Sequence, residues 1–181
     1  SEAEIPLSER PEIDRWIISE LNSLIEEVDS CYADYEPTKA ARAIQHFTDE
    51  HLSNWYVRLC RRRFWKGDYT SDKVAAYQTL YTCLENLAIL MSPIAPFFAD
   101  RLYRDLNDIT RLRNTTSVHL ALFPESDSKK IDKPLEERME LAQQISSMTL
   151  ALRKKVNIRV RQPLSKILIP VDEPGLKEKI E

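Results

Sequence analysis

Glycine is almost missing: Gly67 and Gly175 are the only two among 181 residues. A dinucleotide fingerprint or a glycine-rich phosphate cradle needs several glycines at fixed spacing, so neither can be built here. The shortage also disfavours a fold of tight hairpins, whose two-residue turns need positive φ, and leaves helices as the default. Cysteine is sparse and odd in number. Cys31, Cys60 and Cys83 are widely separated, which suggests neither a disulfide framework nor a CxxC metal knuckle, and they read as reduced thiols of a cytoplasmic protein. Histidine occurs three times, and His46 and His51, five apart, would point about 140° from each other on a helix, so no metal site is expected. No apolar run approaches the ~20 residues of a membrane span. Ser1 to Arg10 is polar and acidic, without an apolar secretory core.

What remains is 43% hydrophobic and 30% charged, enough to build one soluble domain, or one domain with a small appendage, around a sizeable core. From Pro11 to about Ala33, Ile13, Trp16, Ile17, Leu21, Leu24, Ile25, Val28 and Cys31 follow three-and-four spacing and predict an amphipathic helix. Ser8 lies in the capping region and Pro11 suits the first turn. Glu36-Pro37 interrupts the pattern. Thr38 then caps a second predicted helix carrying Ala40, Ile44, Phe47, Leu52, Trp55 and Leu59. The turn chemistry of Lys66 to Asp72 separates it from a third helix, begun by Ser71 or Asp72, with Val74, Tyr77, Leu80, Tyr81, Leu84, Leu87, Ala88 and Met91 as its core stripe. Ser92-Pro93-Ile94-Ala95-Pro96 must end or kink that helix. A fourth runs from Ile94 or Pro96 to Leu106 and is expected to bury Ile94, Phe97 or Phe98, Leu102 and Leu106.

Four helices on short loops predict a mainly α protein, an antiparallel helical bundle over residues 1–124. Within it, Ser117 to Pro124 alternates polar and apolar and is expected to drape over the bundle as extended chain. Residues 125–134, ESDSKKIDKP, are polar and end in proline, which reads as a linker. Residues 135–181 form a C-terminal appendage. Leu135, Met139, Ala142, Ile145, Met148, Leu152 and Val156 mark a fifth helix, and Ile158 to Val171, with its β-branched residues, favours extended chain.

Paired acids such as Glu26-Glu27 and Asp49-Glu50 fit polar helix faces, and no serine or cysteine has a local histidine partner, so no catalytic residues are assigned. Charge is where the pattern departs from an ordinary bundle. Arg58, Arg61, Arg62, Arg63 and Lys66 surround Phe64 and Trp65 without an intervening acid, while Arg153, Lys154, Lys155, Arg159 and Arg161 form a second acid-free cluster. Together they hold ten of the 26 cations in a chain whose formal net charge is −3. Guanidinium groups fork onto phosphate oxygens and aromatic faces stack on unpaired bases, the combination used for single-stranded or looped RNA. Basic runs also serve as solvated helix faces, and Arg153 to Lys155 equally suits the carbonyl end of a helix dipole. Trp55, Arg58, Arg62 and Trp65 would share one helix face, with Trp55 nearer the core.

Asn54-Trp55-Tyr56-Val57-Arg58 followed by Arg61-Arg62-Arg63-Phe64-Trp65 resembles the anticodon-binding domain of the isoleucyl-tRNA synthetases. Met91-Ser92-Pro93-Ile94-Ala95-Pro96-Phe97 is similar to the proline-broken helix of class Ia synthetases. Ser117-Val118-His119-Leu120 with Phe123-Pro124 resembles their bundle-closing segment, and Ile158 to Leu164 a segment just beyond it. The proline and SVHL motifs are shared with valyl- and leucyl-type relatives, so such a relative is one alternative and a helical protein-interaction domain another. The arginine run with Phe-Trp favours the isoleucine enzymes.

The resemblance implies a class Ia anticodon-binding bundle whose partners are isoleucine tRNA and the catalytic and editing domains of a longer polypeptide. The HIGH-like and KMSKS-like sequences of the adenylate-forming domain are absent here. The chain is therefore expected not to aminoacylate alone and to hold no cofactor; ATP and magnesium belong to the parent enzyme. By the same resemblance, candidate tRNA-binding residues are Arg58, Arg61, Arg62, Arg63, Trp65 and Lys66, then Arg159 and Arg161, and last Arg101 and Arg104, which Asp100 and Asp105 can neutralise.

Overall fold

The computed structural model describes residues 3–65 and 68–169, and among these no strand is present. The chain divides into two compact units, residues 1–132 and 133–181. The first is a mainly α bundle. Helix α1, Glu12–Ala33, starts after Pro11 and buries Trp16, Ile17, Leu21, Leu24, Ile25 and Val28. Each such aliphatic side chain contributes roughly 1.5–3 kcal/mol on burial. The same helix packs against α2 (Pro37–His46), α4 (Ser71–Met91) and the segment that follows α2, which makes it the centre of the unit.

Tyr35 ends α1 in the left-handed region at φ 58, and the Glu36 N–H donates to the Cys31 carbonyl at 2.8 Å, which closes the last turn. Glycine usually takes that position. Helix α2 follows with proline at its first position. Glu36 rather than Thr38 is thus the capping residue; a proline there has no N–H to satisfy and already holds a helical φ.

The predicted second helix does not continue to Leu59 as one α-helix. Residues Phe47–Val57 form a π-helical run, and a turn at Cys60 leads into the short α3, Arg61–Trp65. At the junction the Thr48 hydroxyl donates to the Ile44 carbonyl at 2.8 Å, giving that acceptor a partner other than the helical ladder. The wider turns carry the inward face one residue onward. Tyr56 and Cys60 are buried where Trp55 and Leu59 were expected, while Trp55 is half-buried and Leu59 exposed.

Helix α4 is capped by Thr70, whose hydroxyl accepts the Lys73 N–H. Its stripe differs from the expected one. Val74, Leu87 and Ala88 are buried, but so are Ala75, Ala76, Thr79, Cys83 and Leu90, whereas Tyr77 is exposed. Helices α1, α2, α3 and α5 (Pro96–Thr110) all pack on this one, so small residues between the large ones are buried too and a single stripe does not describe it.

Helix α5 buries Ala99 and Tyr103. They join Ala88 and Val118 in a second core cluster, with Leu102 packed beside it. Ile94, Phe97 and Phe98 are exposed, contrary to expectation. The helix begins only at Pro96, which fixes a register with Ala99 and Tyr103 inward. Ser117 and Ala121 are extended as predicted, but between them Val118–Leu120 forms a 3₁₀ turn. Asp100 holds it by accepting the Ser117 hydroxyl at 2.6 Å and the Val118 N–H at 3.0 Å. The polar stretch after Pro124 lies on α1: the Ser126 hydroxyl donates to the Asn22 carbonyl, the Asp127 N–H to the Asn22 side-chain oxygen, and the Asp132 N–H to the Ser19 hydroxyl.

The second unit holds α6, Lys133–Lys155, in which Leu135 is buried and Met148, Leu152 and Val156, just past its end, are exposed. Asn157 at φ 56 terminates it. Residues 158–169 are irregular, not a strand, because the Arg153 guanidinium draws them back over the helix end by donating to the carbonyls of Arg159, Val160 and Gln162. Residues 170 and 171 of the predicted extended segment lie outside the described residues. Among the described residues no helix is long and apolar enough to cross a membrane.

Candidate nucleic-acid interface

The basic cluster follows the π-helical run directly, and the fold divides it into two faces. Cys60, Arg63 and Phe64, at helical spacing, turn inward; Arg58, Arg61, Arg62 and Trp65 are exposed, Trp65 at 80%. Arg58, Arg61 and Arg62 carry no ion pair among the described residues, so their guanidinium groups are available to an anion from solution. Lys66 lies outside the described residues.

Arg63 departs from the sequence expectation. Its Nη1 and Nη2 donate to the two carboxylate oxygens of Asp14 at 2.6 and 2.8 Å, and its Nε donates to Asp72 Oδ2 at 3.0 Å. Asp14 is fully buried and also accepts the Tyr56 hydroxyl at 2.9 Å. The hydrogen bond to Asp14 is the main reason the Arg63 guanidinium is held above its ordinary range, against the opposing effect of its own burial. Burial, then the negative Asp14, pushes the Tyr56 phenol far up, and burial raises the Cys60 thiol. All three groups therefore keep their protons at physiological pH. A guanidinium matched to a buried carboxylate in two parallel bonds is not a free phosphate ligand, because withdrawing it would strand Asp14.

Arg159 and Arg161 are exposed in the second unit. Arg101 pairs with Asp105 at 2.9 Å and Arg104 approaches Asp100 at 3.9 Å, the local neutralisation their spacing suggested. Sequence reasoning missed Asp14, and the signal was present: Asp14, Ile17, Leu21 and Val28 share one apolar stripe, where an acid needs a buried partner.

The two histidines of the second predicted helix are brought together, not 140° apart. The His46 and His51 rings lie 5.0 Å apart edge to face, because π-helical winding returns residue i+5 close to residue i. With Glu20, Glu27 and Arg42 they line a groove of about 470 Å³ between α1 and α2. Among the described residues no three His, Cys, Asp or Glu side chains are placed to hold a metal.

A family profile described as the anticodon-binding domain of tRNA ligase matches residues 14–168. The isoleucine–tRNA ligase of Bacteroides fragilis is 62% identical over 99% of this chain, and that of Cytophaga hutchinsonii 59% over the whole of it. The enzyme of Thermobifida fusca is 45% identical over 94%. In each case the chain spans about 16% of the relative's length. The helical bundle, its basic outward face and the match over most of the sequence agree, and the chain belongs to the anticodon-binding domain family of the tRNA ligases.

Proposed function

We propose that this chain grips the anticodon arm of isoleucine tRNA as one part of a longer, cytoplasmic isoleucine–tRNA ligase. The observation that carries the reading is the separation of the arginine cluster into a paired inner residue, Arg63, and an exposed row of Arg58, Arg61, Arg62 and Trp65, whose arginines pair with no carboxylate among the described residues. Such a row can neutralise phosphates, and Trp65 supplies a face for an unpaired base. Arg159 and Arg161, exposed in the second unit, are further candidates for phosphate contact. Arg101 and Arg104 would add least, since carboxylates already hold them.

In this reading the chain positions the tRNA and does no bond-making itself. Activation of isoleucine with ATP and magnesium, transfer to the tRNA, and editing belong to other domains of the polypeptide. Binding energy gathered at the arm then serves to orient the distant acceptor end, a contribution of proximity and not of chemistry.

The test is a tRNA titration at several salt concentrations. Replacing Arg58, Arg61 or Arg62 by Ala should weaken binding and lower the log–log salt slope by about 0.7–0.9 for each phosphate that is no longer neutralised. Unchanged affinity and slope in all three variants would remove this face from the interface. Capture of a single protein that survives ribonuclease, with no tRNA retained, would favour a protein-docking bundle instead.

A further inference from the structure

Helix α3 has five residues. Isolated helices shorter than ~12–15 residues are marginal in water, so neither the existence nor the orientation of this one follows from its own propensity. What grips its inner side decides where its outer side points. Three grips are present. The Arg63 guanidinium spans from α1 to the start of α4, bonding Asp14 on one side and the Asp72 carboxylate and carbonyl on the other. The Phe64 ring lies edge-to-face between Tyr56 and Tyr77, at centroid distances of 6.3 and 5.4 Å. The Tyr77 hydroxyl donates to the Phe64 carbonyl at 3.0 Å. That carbonyl belongs to the last turn of α3, where no helical N–H is available to it.

The exposure of Tyr77 is informative. At 45% exposed it is no core residue, yet its hydroxyl reaches back to the backbone between Arg63 and Trp65. Resting on the tRNA reading above, we propose that Arg63 and Tyr77 are positioning residues of the RNA surface: they lock α3 to α1 and α4 so that Arg61, Arg62 and Trp65 stand in a fixed outward row before RNA arrives. Ordering a flexible basic segment at the moment of binding costs affinity, and a segment already held does not incur that cost. Arg63 then serves RNA recognition without touching RNA, its charge being matched by Asp14 and Asp72.

A positioning residue and a phosphate ligand differ in a measurable way. Removing a phosphate ligand means that fewer counterions are released on binding, which lowers the salt slope; loosening a support lowers affinity while the same phosphates are still neutralised. The experiment compares the chain with its Tyr77→Phe and Arg61→Ala variants, using an isoleucine tRNA transcript over a salt series, with thermal melts to confirm folding. Tyr77→Phe keeps the ring against Phe64 and removes one hydroxyl. It should weaken binding about 3- to 10-fold, the scale of one hydrogen bond, at unchanged salt slope. Arg61→Ala should lower the slope. In the free Tyr77→Phe protein, NMR relaxation should report a more mobile Trp65 indole N–H.

Equal indole mobility in Tyr77→Phe and the parent would overturn the proposal, whether affinity is kept or lost, the loss then making the Tyr77 hydroxyl a direct RNA ligand. So would a slope reduced as far as in Arg61→Ala, because a neutral phenol neutralises no phosphate and a lower slope would mean that an arginine had left the interface. Absence of tRNA binding by the unsubstituted chain would be a different failure, that of the tRNA reading itself.

Discussion

Arg63 reaches back 49 residues to close two parallel hydrogen bonds on Asp14, at 2.6 and 2.8 Å, and Asp14 has no exposed surface. The pair joins the end of the arginine run to the first turn of α1. Breaking a buried pair from one side leaves the other charge uncompensated, which costs about 3–5 kcal/mol. Arg63→Met, which strands the buried Asp14 carboxylate, is therefore expected to lose a stability in that range in urea unfolding. A loss below about 1 kcal/mol, the scale of an exposed pair, would show that the bonds do not persist in solution.

Asp100 gives the bundle a pH dependence of definite sign. The Ser117 hydroxyl, then the Val118 N–H, holds its carboxyl below the ordinary value of 3.8. A carboxyl depressed on folding stabilises the native state above its unfolded pKa, and the contribution fades as pH falls through the lower folded value. Asp100→Asn should thus be less stable than the parent at neutral pH, and the gap should narrow below about pH 4, near the free-carboxyl value. Parallel stability curves down to pH 2 would refute this role.

Tyr35 occupies the left-handed region at φ 58 while 92% exposed, so it bears a conformational cost without packing in return. That cost is roughly 1–2 kcal/mol for a residue with a β-carbon, and asparagine tolerates the region better. Tyr35→Asn should raise the melting temperature, with a gain of about 0.5–1 kcal/mol. A lower melting temperature would mean that the ring stabilises the fold in a way its exposure conceals.

The three thiols should separate by reactivity. Cys60 and Cys83 are buried and Cys31 is partly exposed. Burial pushes the thiols of Cys60 and Cys83 above their ordinary value of 9.0, so little thiolate forms. Alkylation with iodoacetamide at pH 8 should modify Cys31 first and the other two only in denaturant. Peptide mapping distinguishes this from uniform labelling.

The helices and their breaks were legible because their causes are local. Pro11, Pro37 and Pro96 each mark a helix start, and the turn chemistry before Ser71 marks another. Inward faces were less legible. Most of the apolar stripe of α1 is buried as read, but Ile18, Ser19 and Asn22 outside it are buried too, because several elements pack on this helix; α4 is surrounded in the same way, and its buried Ala75, Ala76 and Thr79 leave no stripe to detect. The π-helical run was invisible to a 3.6-residue template. It displaced Trp55 and Leu59 from the core and drew His46 and His51 together. ESDSKKIDKP has the composition of a linker, yet Ser126, Asp127 and Asp132 bond to α1, since polar side chains and backbone find partners that composition does not name.

Amino-acid order alone determined that this chain is helical, where its helices α1, α2, α4 and α5 begin, and that its positive charge is gathered beside aromatic residues. Those properties depend on neighbours within a turn or two. Which arginine meets solvent and which is held inside was decided only by tertiary structure. Arg61, Arg62 and Arg63 are chemically identical and adjacent, and the difference among them is a buried carboxylate, distant in sequence, that the packing of α1 brings to Arg63 alone.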